Sequence, residues 1–339
     1  VRDCCSDLKG SFALEVISSD FPHNMIVVRK DSPLVIGTCD DEKYISSDIP
    51  AILSYTRDFY LLDDLEFVVL DNKSATFYNS DLEILPKKTC NIEWNATASE
   101  KNGYADFMSK EIDEQPTAIR ETIGSRINIS DFHCEFSELP LTKDYLQSIN
   151  KIYIVACGTA MHAGLSGKNT IEKLCRIPVE VDIASEFRYK NPIVDSNTLS
   201  IFISQSGETA DTIAALKLAK SMGSKTIAIS NVIGSSITRE ADYSIYTHAG
   251  PEIAVASTKA YTSQVVLINI LAIYFAEILK CCPENNLLDL KKEILGLPKK
   301  VEETLHCKDD IKRFAKKIYQ EKDVFFLGRG VDETIAKEG

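Results

Sequence analysis

The sequence predicts an α/β protein in two parts: a β-rich layered domain, then a doubly wound parallel sheet. Three observations carry this. At 339 residues the chain has room for two domains, given about 150 residues for each. Short β-prone runs separated by turn residues fill residues 1–98. From Lys151 onward, apolar strands alternate with helical patterns, and such alternation implies a parallel sheet covered on both faces.

The first part reads as strands at Gly10–Ile17, Met25–Arg29, Pro33–Gly37, Lys43–Ser46, Leu65–Leu70 and Ala75–Tyr78. Each is a β-prone run bounded by turn residues. Helical periodicity shows only at Ile49–Thr56. Trp94, at the edge of this part, is expected to pack against a neighbouring segment. Residues 99–147 are polar and read as a connector. It carries short helices at Ala105–Asp113 and Thr117–Ile123, split at Gln115–Pro116 because proline removes a backbone donor. The second part has strands at Ile152–Ala156, Val179–Ile183, Leu199–Ile203, Thr226–Ile229 and Tyr243–Tyr246. Helices fit Met161–Leu174, Thr209–Met222, Ser235–Arg239 and Ser257–Lys280. The longest apolar stretch, Val265–Leu279, is interrupted by Asn269 and Glu277 and is shorter than the ~20 residues of a membrane span. It reads as a buried core helix.

Composition narrows the function. Hydrophobic residues make up 44% and charged residues 26%, as in soluble globular proteins. The net charge is −12 with no long basic run, which argues against a nucleic-acid or anionic-membrane partner. Ten cysteines occur without a C-x-x-C pair, so no metal site is expected. Scattered thiols fit a reducing cytosol, and a cytoplasmic location is expected. The N-x-S/T triplets at Asn72, Asn95 and Asn128 then have no role. The chain starts Val-Arg-Asp without a signal pattern and stops inside an apparent helix, so both ends look cut.

The chemistry centres on Ile201–Thr212, IFISQSGETADT. An apolar strand end runs into a polar turn with glycine, and a helix follows. Free N–H groups of a first helical turn, with the helix dipole, attract an anion. Ser204, Gln205, Ser206 and Thr209 can add hydroxyls and an amide. There is no Walker lysine, so a phosphomonoester fits better than a nucleoside triphosphate. The plain alternative is a Ser/Thr-capped helix after a strand. Ligands of such folds bind beyond the carboxyl ends of the strands. Cys157-Gly158-Thr159 and Ser204–Thr209 therefore share a rim, with Glu252–Lys259 as its third element.

The strings ACGTAMHAG, ISQSGETADT and HAGPEIAVASTKAYTSQ together resemble the sugar isomerase (SIS) domain of the glutamine–fructose-6-phosphate aminotransferase family. LKGSFALEVI, SPLVIG and ISSDIPAIL resemble the later part of that family's glutamine amidotransferase domain, an N-terminal-nucleophile fold. MSKEIDEQPTAIRETI resembles its connector. The resemblance implies residues 1–98 as partial amidotransferase, 99–147 as connector and 148–285 as a first SIS domain. It makes 286–322 a helical linker and 323–339 the start of a second SIS domain, with Val324–Leu327 as its first strand.

The family makes glucosamine 6-phosphate and glutamate from fructose 6-phosphate and glutamine, without a cofactor. By resemblance Ser204, Gln205, Ser206 and Thr209 form the phosphate cradle, while Thr159, Val255 and Ser257 line the sugar. Fructose 6-phosphate or glucose 6-phosphate is the implied ligand, glutamine a substrate of the full-length protein only, and a homodimer its implied state. Ala160 departs from a common serine and removes one hydroxyl. Lys259 is expected to be structural, a surface or salt-bridged residue.

No catalytic residue is assigned. The family's N-terminal nucleophilic cysteine has no match in Cys4 or Cys5, and its ring-opening lysine and glutamate fall beyond Gly339. His162 and His248 are weak substitutes for the missing base, and His162 is read as structural. The chain alone is thus expected to bind phosphosugar without turnover. The rival is a non-catalytic phosphosugar-binding SIS regulator, disfavoured because no helix-turn-helix pattern is visible. A third reading, another SIS-family isomerase, is disfavoured by the connector and the β-rich part.

Overall fold

Short strands with one apolar face need a second layer, and the first part of the chain supplies it from its own sequence. The computed structural model describes residues 1–39, 42–71, 73–92 and 101–339, in two compact units. Trp94, Asn72 and Asn95 lie outside the described residues. Among the described residues, the first unit holds α1 (Arg2–Asp7) and nine strands. These are β1 (Phe12–Ser18), β2 (Phe21–Lys30), β3 (Val35–Cys39), β4 (Glu42–Ser46), β5 (Asp58–Leu61), β6 (Phe67–Leu70), β7 (Ala75–Tyr78), β8 (Ile84–Leu85) and β9 (Cys90–Asn91). They form two antiparallel sheets, ordered β1-β2-β6-β7-β8 and β4-β3-β5-β9. Val27, Val68, Leu70 and Phe77 of the first sheet pack on Leu34, Ile36 and Leu62 of the second layer. The expected Ile49–Thr56 helix is only a 3₁₀ turn, Pro50–Ile52.

The second unit begins at Lys101 and includes the stretch expected as a connector. Its first helix, α2 (Phe107–Ile123), runs unbroken through Pro116. That corrects the expected split. Proline removes the donor for the carbonyl of Ile112, and the Gln115 side-chain amide donates to that carbonyl instead, at 3.0 Å. Asp106 caps the start by accepting from the Ser109 N–H at 2.7 Å. After α3 (Lys143–Ser148) come β10 (Lys151–Ala156), α4 (Thr159–Cys175), β11 (Val179–Ile183), α5 (Ala184–Phe187) and β12 (Thr198–Ser204). Then follow α6 (Ala210–Ser221), β13 (Lys225–Ser230), α7 (Ser236–Glu240), β14 (Tyr243–Tyr246) and α8 (Lys259–Leu279). The unit closes with α9 (Glu284–Leu305), α10 (Lys308–Ile318) and α11 (Val331–Glu338).

The five strands β10–β14 are all parallel, in the order β11-β10-β12-β13-β14. Alternate residues of β10 feed two cores. Ile152, Ile154 and Ala156 join α4 and α8 on one face. Tyr153 and Val155 join Phe187 of α5 and Ile213, Ala215 and Leu216 of α6 on the other. The chain therefore leaves β10 toward one face and β12 toward the opposite face. By length and composition α8 could cross a membrane, but Leu267, Ile268, Ile270, Leu271 and Phe275 are fully buried in this core. Burying one such side chain contributes about 1.5–3 kcal/mol.

Val324–Leu327 forms no strand in the structure, against expectation, and Phe325 and Leu327 are exposed. A strand exists only where a neighbour completes its hydrogen bonds, and this run pairs with no described strand. Asn128, in the third sequon, closes a turn by accepting from the Ser130 N–H at 2.8 Å.

The approach of α4 to α8 depends on Gly167. A Cβ there would lie 2.1 Å from Cγ2 of Ile268. Gly167→Ala should therefore destabilise the protein by about 1–3 kcal/mol, despite alanine's better helix propensity. Urea unfolding checks this, and an unchanged midpoint would show that the two helices separate freely.

Candidate functional site

Strand order decides where a ligand can sit. Because α4 and α6 leave on opposite faces, a crevice opens between the carboxyl ends of β10 and β12. Parallel register sets Ala156 beside Ile203, so the two exits, Cys157–Thr159 and Ser204–Thr209, are adjacent. Glycine makes both turns possible: Gly158 has φ +55° and Gly207 φ +70°. The Thr212 hydroxyl, in the first turn of α6, reaches the Cys157 sulfur at 3.9 Å and ties the exits together.

The loop after β12 is held by its own hydroxyls. Ser204, nearly fully buried, accepts from the Gly207 N–H at 3.0 Å and is hydrogen-bonded to the Thr209 hydroxyl at 2.9 Å. Ser206 accepts from the Glu208 N–H at 3.2 Å. Thr209 is the N-cap residue of α6, yet its side chain makes no cap hydrogen bond to the helix. The first-turn N–H groups are thus left for another acceptor, which the plain capped-helix reading does not provide. Gln205 is fixed through its backbone, its carbonyl accepting from the Asn231 N–H at 3.0 Å.

Sequence reasoning missed Asn231. It is buried just past β13, and its side-chain amide donates to the Gly250 carbonyl at 2.6 Å. Its side-chain oxygen accepts from the Thr247 hydroxyl at 3.0 Å and the Ala249 N–H at 2.8 Å. One side chain thus joins the Ser204–Thr209 loop to the segment leading into the third rim element. The only signal was a polar residue closing an apolar strand, TIAIS.

In that third element, the Glu252 carboxylate caps α8 by accepting from the Thr258 and Ala260 N–H groups at 2.9 and 3.0 Å. The Ser257 hydroxyl donates to Glu252 at 2.9 Å, and Val255 stands fully exposed. Lys259 is buried and ion-paired with Glu114 of α2 at 2.7 Å, as its structural reading expected. Glu111 of α2, also buried, accepts from the Ile253 and Ala254 N–H groups at 2.6 and 3.1 Å.

Thr159 opens α4 and donates to the Glu338 carboxylate at 2.9 Å. The other oxygen of Glu338 meets His162 Nδ1 at 2.6 Å. His162, read as structural, is thus half of a titratable pair beside the predicted sugar position. Burial, and secondarily the Glu338 charge, raise the Tyr261 phenol above its ordinary value. His248 lies in a left-handed turn (φ 53°), its ring 6.1 Å from that of Tyr246. Ala160 packs against the α4–α8 core. Thr159, Ser204, Gln205, Ser206 and Thr209 are therefore gathered at two adjacent strand exits. Val255 and Ser257 lie on the loop that opens α8.

A SIS domain family model matches residues 145–274. Glutamine–fructose-6-phosphate aminotransferase [isomerizing] of Clostridium acetobutylicum is 52% identical over 334 residues, covering 98% of this chain and 55% of the relative. That of Clostridium tetani is 52% identical over the whole chain and 56% of the relative. The chain spans about half the length of the curated relatives it matches. Among solved structures, the C-terminal domain of glucosamine-fructose-6-phosphate aminotransferase from Francisella tularensis matches with TM-score 0.67 and 36% identity. That match covers 70% of this chain and 67% of the other.

Asn231→Ala would strand the Gly250 carbonyl, the Ala249 N–H and the Thr247 hydroxyl. The expected loss is about 2–3 kcal/mol of stability, the scale of unsatisfied buried polar groups. Denaturant unfolding measures it, and a loss below ~0.5 kcal/mol would mean the junction is not structural.

Proposed function

The chain belongs to the glutamine–fructose-6-phosphate aminotransferase (isomerizing) family, and from that membership we propose that it carries the enzyme's first phosphosugar site. The ligand is fructose 6-phosphate or its isomer glucose 6-phosphate. The phosphate lies at the amino end of α6, where first-turn N–H groups and the dipole favour a dianion. Ser206 and Thr209 hydroxyls, with Ser204 and the Gln205 amide, complete the cradle. Thr159, Val255 and Ser257 face the sugar.

The single observation that carries the reading is the uncapped start of α6 at the switch point of the sheet. A helix that ends a strand at this position needs an acceptor, and the loop supplies donors for one. A protein with net charge −12 repels anions at long range, so recognition must come from short-range dipoles and hydroxyls. Phosphate binding stabilises ground and transition states alike, so this site orients the sugar and does not itself speed chemistry.

In the whole enzyme, ammonia from glutamine would be joined to this sugar to give glucosamine 6-phosphate and glutamate. The full-length protein is proposed to act as a homodimer. A cytoplasmic location fits ten free thiols, six of them buried or half-buried.

Calorimetric titration with fructose 6-phosphate tests the site. Ser206→Ala and Thr209→Ala should each weaken binding by about tenfold, the scale of one hydrogen bond to a charged acceptor. Unchanged affinity in both would remove the cradle from the account.

A further inference from the structure

The loop that carries Val255 and Ser257 is held at two points by two carboxylates, one of them from a distant helix. Glu252 holds the far end, at Ser257, Thr258 and Ala260. Glu111 holds the near end, its Oε1 accepting from Ile253 and Ala254 N–H groups at 2.6 and 3.1 Å and its Oε2 from Ala254 at 3.3 Å. Between these clamps only residues 255 and 256 are free to set the exposed bend. Glu111 is 2% exposed, so its position is fixed by the packing of α2 against α8 and α9. The neighbouring Glu114 reinforces that seat, bridging Lys110 at 3.5 Å and Lys259 at 2.7 Å.

We propose that Glu111 is a positioning residue that sets sugar recognition without touching the ligand. It acts through the Ile253–Ala254 backbone on the bend bearing Val255, and so makes the geometry of the sugar half of the site a property of helix α2. The inference deepens the phosphosugar reading and rests on it. The phosphate half is held largely by its own bonds: Ser204, Ser206, Gly207, Glu208 and Thr209 hold each other, with Asn231 beneath them as the link to Gly250. None of those bonds involves α2. The two halves should therefore respond differently to one substitution. Oε1 alone takes the two shorter bonds, while Oε2 takes the third, from Ala254. Glu111→Gln keeps the volume of the side chain but removes its charge and turns an NH2 donor toward the Ala254 N–H, so the charge-assisted clamp is weakened.

The test titrates the 339-residue chain with fructose 6-phosphate and, separately, with inorganic phosphate. Wild type should bind the sugar phosphate more tightly than phosphate. Glu111→Gln should weaken fructose 6-phosphate by about tenfold and leave inorganic phosphate within about twofold. Ser206→Ala should weaken both. If Glu111→Gln fails to fold by circular dichroism, Ile253→Pro deletes one donor, leaves Glu111 in place and must give the same split. Equal weakening of both ligands, or unchanged affinity for both, would overturn the positioning role. A wild type with no preference for the sugar phosphate would overturn the site reading and this inference with it.

Discussion

The pairing of β10 with both β11 and β12 is the constraint from which the rest follows. Ile154 lies opposite Val181 on one side and Ile201 on the other, in parallel register throughout. Parallel neighbours cannot be joined by a tight turn, so each connection must cross a face of the sheet. A right-handed crossover places α4 on one face and α6 on the other. The crevice between their starts is then unavoidable, and both glycine turns open into it. The side chains that would meet a ligand are consequences of where the strands sit, not additions to them.

The site built on that frame relies on neutral donors and distant carboxylates. Its proposed anion end would use helix N–H groups and hydroxyls, while its other rim is shaped by Glu111, Glu114 and Glu252. A carboxylate that accepts backbone N–H groups stiffens a loop without presenting positive charge to solvent. The acidic balance of the chain is compatible with an anionic ligand for this reason. The carboxylates are turned into the protein, against backbone and lysine.

Much of the parallel unit was legible because its central strands β10, β12 and β13 are mostly apolar runs, buried on both faces and bounded by polar turns. Val179–Ile183 and Tyr243–Tyr246 match residue for residue. The loop Ser204–Thr209 was legible for a related reason, since glycine and hydroxyls crowd one short strand exit. Pro116 misled because helix continuity there depends on a side chain, Gln115, replacing a backbone donor. β8 and β9 are two residues each and carry no periodicity to read. Asn231 and Glu111 were illegible for another cause: their partners are tertiary, and no local pattern distinguishes such a residue from a surface one. Val324–Leu327 has the composition of a strand, but composition does not supply a pairing partner.

The bond from Glu111 to Ile253 spans 142 residues of chain. Closing a loop of that length carries an entropic cost of about 4 kcal/mol by the logarithmic rule, before any contact offsets it. During synthesis α2 leaves the ribosome long before the backbone it clamps, and the two meet only after all five parallel strands have been made. The phosphate cradle, with donors and acceptors within a few residues, can close earlier. The bend at Val255 is thus among the last features of this unit to take shape in a nascent chain. Selective retention of a sugar phosphate over phosphate would then mark molecules whose folding has run to completion.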